Sequence, residues 1–176
     1  MNFFFPLIYS IILFLILIII GFYTIQQIIN IQKTENQIIN LRKKIQNNQN
    51  NYENNYKLGK LYLKKKIFNK AILFFRQSLK NWNLNDKISL SSLYNILGFT
   101  YFNLKQYNFA IYYYKISLQL LPDYILALNN LGFVYEKINL FEEAFNCYET
   151  ILKYDKINKV ALSRKTYITQ KLKNIV

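Results

Sequence analysis

Two hydrophobic patterns divide this chain. Residues 3–25 are apolar almost throughout and contain no charged side chain. About 20 apolar residues are enough to cross a bilayer as a helix, so residues 1–25 are predicted to form a transmembrane anchor. Residues 26–51 mix apolar and polar positions, which predicts a helical linker that ends in an asparagine-rich polar hinge. After residue 51, apolar residues recur at the three- and four-residue intervals typical of amphipathic helices.

The helical pattern in the second part of the chain repeats itself. Shifted by 34 residues, the segment from Tyr94 to Tyr114 aligns with the segment from Leu128 to Tyr148 without a gap. A further copy lies upstream, and all three share a Leu-Gly pair followed by a Tyr and an Ala at fixed offsets. These positions are Leu58, Gly59, Tyr62, Ala71, Leu97, Gly98, Tyr101, Ala110, Leu131, Gly132, Tyr135 and Ala144, with Pro122 closing the second copy. A 34-residue period with this pattern is the signature of the tetratricopeptide repeat.

The pattern therefore predicts an all-α fold, in which a right-handed α-solenoid of three tetratricopeptide repeats follows the transmembrane helix. Gly59 and Gly98 are 39 residues apart, so extra residues separate the first two copies. A loop is the predicted place for them, since loops tolerate insertions at small entropic cost. The predicted segments are repeats at 52–85, 91–124 and 125–158, an insertion loop at 86–90, and a capping helix at 159–176.

The small residues of the pattern have a steric interpretation. The glycine and the alanine of each repeat are predicted to lie where its two helices cross, so that the two backbones approach closely. A large residue in place of Gly98 or Ala110 would then force the helices apart. Pro122 is predicted to end the second helix of its repeat, because proline has no N–H to donate.

Charge and composition bear on whether the chain binds nucleic acid and on the kind of genome that encodes it. The formal net charge is +14, from 23 basic and 9 acidic residues. Lysine supplies most of the positive charge, and the arginines are Arg42, Arg76 and Arg164. Sequence-specific readout of nucleic acid favours arginine, so no specific nucleic-acid partner is predicted. The wealth of Ile, Asn, Lys, Phe and Tyr indicates an AT-rich genome, such as that of a plastid or an AT-rich bacterium.

The residues for common catalytic and metal sites are missing. The chain has one cysteine, Cys147, and no histidine, so an ordinary zinc site or a His-activated nucleophile cannot be assembled. Its four glycines are scattered along the chain, which excludes a glycine-rich phosphate loop. We therefore expect a protein that is not an enzyme and that uses no cofactor.

The apolar stretch is interpreted as an uncleaved anchor, since no basic residue precedes it and no small-residue cleavage site follows it. Basic residues do follow the span, at Lys33, Arg42, Lys43 and Lys44. By the positive-inside rule, the repeats are then expected on the stromal side of a plastid membrane, or on the cytoplasmic side of a bacterial inner membrane.

In tetratricopeptide stacks, the first helix of each repeat lines a concave face, and resemblance to that family indicates which positions form it. The candidate protein-binding groove here consists of Tyr56, Lys60, Asn95, Phe99, Phe102, Asn129 and Phe133. Aromatic anchors beside amides suit a helical or extended peptide. The other interpretation is that Phe99 and Phe133 only pack between repeats.

Chaperone-binding members of the tetratricopeptide family hold a C-terminal carboxylate with a clamp of basic residues, and most positions of this clamp are not basic in this chain. They read Tyr56, Lys60, Ile96, Leu126 and Asn130.

The complete layout resembles a known family. An N-terminal span, a short linker and three repeats carrying Leu97-Gly98 and Leu131-Gly132 are similar to the thylakoid membrane tetratricopeptide proteins of cyanobacteria and red-algal plastids (hypothetical chloroplast reading frame thirty-seven). The resemblance implies a non-catalytic, membrane-anchored scaffold that binds photosystem I subunits or assembly factors on the stromal side of the thylakoid. The alternative is a membrane-tethered adaptor for secretion, division or import in an AT-rich bacterium or another organelle.

Overall fold

A computed structural model describes residues 4–48 and 51–173. The described residues contain helices and turns but no strand, which confirms the all-α prediction. The helices are α1 Phe4–Asn47, α2 Tyr52–Lys64, α3 Phe68–Lys80, α4 Lys87–Asn103, α5 Tyr107–Leu120, α6 Ile125–Lys137, α7 Phe141–Tyr154 and α8 Lys159–Lys173. They belong to two compact units, with α1 in the first and α2–α8 in the second. The first three anchor residues, hinge residues 49 and 50, and cap residues 174–176 lie outside the described residues.

Helix α1 is one continuous helix of 44 residues, about 66 Å long at 1.5 Å per residue. It is the only described helix that is long and apolar enough to cross a membrane. The predicted linker therefore continues the same helix beyond the apolar stretch. At the end of that stretch, the Thr24 hydroxyl donates a 2.8 Å hydrogen bond to the Gly21 carbonyl, which satisfies this polar group within the helix.

The second unit is a stack of helix pairs. Helix α2 packs on α3, α4 on α5 and α6 on α7, and the pairs are joined by contacts of α3 with α4 and of α5 with α6. Helix α8 packs on α7, and its Ala161 and Ile168 are fully buried. It therefore covers the last pair, as a capping helix should.

Each repeat buries an aromatic ring against its glycine. A Cβ atom added to Gly98 would lie 2.7 Å from ring atoms of Tyr114, and one added to Gly59 would lie 2.6 Å from the ring of Phe75. In the third repeat, the corresponding distance from Gly132 to Tyr148 is 2.9 Å. The space that the glycine leaves is thus filled by a side chain of the second helix.

The turn inside each repeat has one repeated geometry. Lys66, Lys105 and Asn139 each lie two residues after the end of the first helix and have φ values of 59°, 59° and 60°. In the second repeat, the Lys105 N–H donates to the Phe102 carbonyl and the Gln106 N–H to the Tyr101 carbonyl. Such a left-handed residue closes a helix by satisfying its last carbonyl groups, so every pair turns in the same way.

The predicted insertion loop at residues 86–90 is not a loop. Asp86 caps α4 by accepting a 3.1 Å hydrogen bond from the Ser89 N–H, and α4 begins at Lys87. Leu90 is buried, while Ile88 is 72% exposed. The extra residues therefore lengthen the first helix of the second repeat to 17 residues, against 13 in α2 and α6. Asp at the cap position stabilises this additional turn.

Serine residues tie the two helices of the second repeat together. The Ser91 hydroxyl donates to the Ser117 carbonyl at 2.9 Å, and the Ser117 hydroxyl donates to the Ser91 carbonyl at 2.8 Å. In the first repeat, Ser78 donates to the Tyr52 carbonyl in the same register, 26 residues away. The fully buried Ile151 occupies this place in the third repeat, where an apolar contact replaces the hydrogen bond.

Candidate functional site

The concave surface is formed where first helices of successive repeats meet, and α4 contacts α6 directly. Phe102 of α4 and Phe133 of α6 come together there, with ring centroids 5.5 Å apart. Phe99, one turn earlier on α4, is 41% exposed. Phe133 thus packs between repeats, whereas Phe99 leaves much of its surface free.

Tyr56 and Lys60 form the first-repeat part of the predicted groove. The Tyr56 ring is half-buried, and its centroid lies 5.5 Å from that of the Trp82 ring. The Lys60 Nζ lies 5.4 Å from the centroid of the Tyr56 ring. Burial raises the pKa of the Tyr56 phenol, and a hydrogen bond with Ser92 opposes that rise. The phenol is therefore protonated at neutral pH.

The two predicted groove asparagines differ. Asn95 is buried, and its side-chain oxygen accepts a 3.0 Å hydrogen bond from the Asn130 Nδ2 atom. It therefore helps to hold the second and third repeats together. Asn129 is half-buried, and its Oδ1 atom is buried without a hydrogen-bond partner among the described residues.

The sequence did not indicate that α8 contributes to the same face. Arg164 of α8 donates a 3.3 Å hydrogen bond to the Oε2 atom of Glu136, and the Tyr148 hydroxyl donates at 2.6 Å to Oε1. The Arg164 guanidinium also lies over the Phe133 ring, 5.6 Å from its centroid. One signal was present: the third repeat has Glu136 where the first two have Leu63 and Phe102.

Cys147 is buried in α7. Burial raises the pKa of its thiol to about 12, although Lys115 acts in the opposite direction. The thiolate is the reactive form of cysteine, so this thiol is inert near neutral pH and fills space in the core.

Comparison with known proteins shows the family to which the chain belongs. The profile of the tetratricopeptide repeat family matches residues 52–81 and 125–158, and the structure sets the pair α4–α5 between these two segments. The ycf37 protein of Guillardia theta is 38% identical over 172 residues, which are 98% of this chain and 97% of that protein. The chain belongs to the ycf37 family. The ycf37 protein of Cyanophora paradoxa is 37% identical over 171 residues, with 97% and 98% coverage.

A longer relative of the ycf37 family comes from a land plant. The chloroplastic tetratricopeptide repeat domain-containing protein PYG7 of Arabidopsis thaliana is 28% identical over 152 residues. These residues are 86% of this chain and 50% of PYG7. The relatives thus include a chloroplast protein, and the shared part carries the repeats.

Solved structures agree on the fold. The tetratricopeptide protein YrrB, which has an unusual peptide-binding site, superposes with a TM-score of 0.68 at 16% identity, covering 82% of this chain and 72% of YrrB. The first tetratricopeptide domain of Spaghetti (RPAP3), solved with the HSP90 peptide SRMEEVD, gives 0.61 at 21% identity, with 69% and 92% coverage. Folds of this kind stack helix pairs into surfaces that bind other proteins.

Proposed function

We propose that this protein is a non-catalytic, membrane-anchored scaffold that binds proteins on its concave face and assists the assembly or stability of photosystem I. Its partners are photosystem I subunits or assembly factors. It acts in the plastid thylakoid membrane, with α1 as a single-pass anchor and the repeats on the stromal side.

The observation that carries the binding part of this proposal is the concave aromatic surface. Phe99 is 41% exposed beside the Phe102–Phe133 pair, and large exposed rings in a groove are the residues that most often dominate protein binding.

The membrane part of the proposal rests on α1. Its apolar stretch has the length of a bilayer-spanning helix, and its side chains from Ile8 to Ile20 are exposed, at 46–69% for the large apolar ones. A tether to the membrane plane raises the effective concentration of the repeats near membrane-bound clients. The link to photosystem I is supported by the resemblance to the thylakoid family and by the plastid relatives.

Alkaline washing of membranes tests the anchor. The native chain is expected to stay in the washed membranes. The variant Leu15→Lys/Ile18→Lys is expected to move to the soluble fraction, because each central lysine costs about 2.5–3.5 kcal/mol in a membrane helix. As a control, Gln26→Lys/Asn30→Lys adds the same charge beyond the apolar stretch and should remain bound. Equal release of both variants would contradict a transmembrane anchor.

Deletion of the gene tests the photosystem I role. The expected result is a lower amount of photosystem I per chlorophyll, restored by the native chain and less well by Leu15→Lys/Ile18→Lys. If photosystem I accumulates normally at every light intensity while another membrane complex is reduced, the scaffold serves that complex, and the photosystem I proposal is wrong.

A further inference from the structure

A small cavity lies where the capping helix α8 meets the end of α6. Its volume is about 250 Å³, which is smaller than the ~300–1,000 Å³ of pockets that enclose whole small molecules. A cavity of this size suits one side chain of a larger ligand. Its lining residues are Phe133, Glu136, Lys137, Asn139, Phe141, Arg164, Tyr167 and Lys171.

The one carboxylate of the cavity is already bound. Glu136 has a side chain that is 8% exposed, and it accepts hydrogen bonds from Tyr148 on one oxygen and from Arg164 on the other. This network holds Arg164 across the ring of Phe133. The charges of Glu136 and Arg164 offset each other, and the position of Arg164 is fixed.

Two further cations have no such partner. The Lys137 Nζ lies 5.1 Å from the centroid of Phe133, and the Lys171 Nζ lies 5.6 Å from that of Tyr167. Within the described part of the chain, neither lysine forms an ion pair. The cavity therefore carries three cations and one carboxylate, and an excess of two positive charges remains for a ligand.

We infer that this cavity binds a carboxylate side chain from an acidic segment of a protein partner. One arginine and two lysines can give charge-assisted hydrogen bonds to a carboxylate. The rings of Phe133 and Tyr167 border the same space and can pack on the methylene groups of a glutamate. This inference rests on the proposed protein-binding function and names the chemistry of the partner.

Continuity with the concave face favours a peptide as the source of the carboxylate. Phe133 contacts Phe102 in the aromatic groove and also lines the cavity. A peptide with an apolar residue on Phe99 or Phe102 could thus place a following acidic residue near Lys137. The residues involved differ from the basic clamp of chaperone-binding repeats, whose third-repeat positions here are Leu126 and Asn130.

Fluorescence anisotropy with the full chain in detergent tests the inference. The probe is a labelled peptide of one phenylalanine and four glutamates with an amidated C-terminus, compared with its glutamine counterpart. The native chain is expected to bind the glutamate peptide at least about tenfold more tightly, since hydrogen bonds to charged groups have this strength. Lys137→Gln/Lys171→Gln should remove about tenfold of that affinity.

A matched variant separates the cavity from general attraction to a basic protein. Lys87→Gln/Lys156→Gln removes the same charge from two exposed lysines and should weaken binding by less than about twofold, as expected of distant screened charges. Equal weakening in both variants, equal affinity for both peptides, or displacement of the peptide by inorganic phosphate at equal concentration would overturn the assignment.

The peptide-binding experiment and the tests of the proposed function can fail independently of each other. If membrane proteins are still captured by the chain but the glutamate peptide shows no cavity-dependent binding, the cavity assignment is wrong and the scaffold stands. If the peptide binds as expected while photosystem I is unaffected by gene deletion, the acidic site stands and the photosystem I role is wrong.

Discussion

Two faces of the same helix, α4, differ at adjacent residues. Gly98 faces α5 and leaves room for the ring of Tyr114, which would lie 2.7 Å from an added Cβ. Phe99 lies about 100° further round the helix and is 41% exposed. The Gly98 side of α4 is tightly packed by residues of the repeat pattern, whereas the Phe99 side carries a large ring with much of its surface free. The difference in packing distinguishes residues that stabilise the stack, such as Gly98, from residues such as Phe99 that remain free to contact a partner.

The largest expected effect comes from disrupting the packing on the Gly98 side of α4. Gly98→Val is predicted to lower the free energy of unfolding by about 3 kcal/mol, the upper part of the usual cost of overpacking, because Tyr114 is itself buried and has nowhere to move. Urea unfolding followed by circular dichroism measures this loss. Phe99→Ala, one residue further on, should cost about 1 kcal/mol or less, as substitutions near the surface usually do. Similar losses for both variants would remove the distinction between the faces.

A smaller loss of stability is expected when the hydrogen-bonded serine pair between α4 and α5 is broken. Ser117→Ala removes the 2.8 Å hydrogen bond to the Ser91 carbonyl and leaves the Ser91 hydroxyl with one partner fewer. We expect a loss of about 1–2 kcal/mol in unfolding free energy. Ser163→Ala, at an exposed position of α8, should change stability by less than about 0.5 kcal/mol. If Ser117→Ala unfolds at the same urea concentration as Ser163→Ala, the buried pair contributes nothing.

The smallest effect concerns the turns that join the two helices of each repeat. Lys105 has a φ of 59°, a conformation that costs an ordinary residue about 1–2 kcal/mol and glycine almost nothing. Lys105→Gly is therefore predicted to stabilise the fold by about 1 kcal/mol, after the greater entropy of an unfolded glycine is subtracted. Asn139→Gly should gain less, because asparagine tolerates this region. Thermal unfolding of both variants checks the order, and a loss of stability in Lys105→Gly would contradict it.

The repeated pattern predicted most of the fold because its spacing reports helix pairing directly. The glycine and alanine positions marked both helices of each repeat, and the apolar positions after residue 158 marked α8. The conformation of the insertion was predicted wrongly for a physical reason: the offset of 39 residues shows how many residues were added, but not whether they form a loop or a helix. Asp86 three residues before Ser89 is a helix-cap pattern, and it was the available signal for the longer α4.

The candidate site was less predictable than the fold. Resemblance to other tetratricopeptide repeats indicates the groove positions on the first helices, so Phe99, Phe102 and Phe133 could be selected from the sequence. The hydrogen bond that ties Asn95 to Asn130 depends on the offset between neighbouring repeats. The contact of Arg164 with Glu136 depends on how α8 lies across the last pair, and no repeat pattern encodes this placement.

Capture of client proteins by the full chain from gently solubilised plastid membranes tests the central claim most directly. The tagged native chain, Phe99→Ala and the control Tyr154→Ala are compared, since Tyr154 is an aromatic residue that is 54% exposed on α7. The account predicts that Phe99→Ala recovers about tenfold less of the clients, the effect of losing a dominant aromatic contact, while Tyr154→Ala recovers the native amount. Equal recovery by all three chains, with the same helical content, would contradict a binding site on the concave aromatic face.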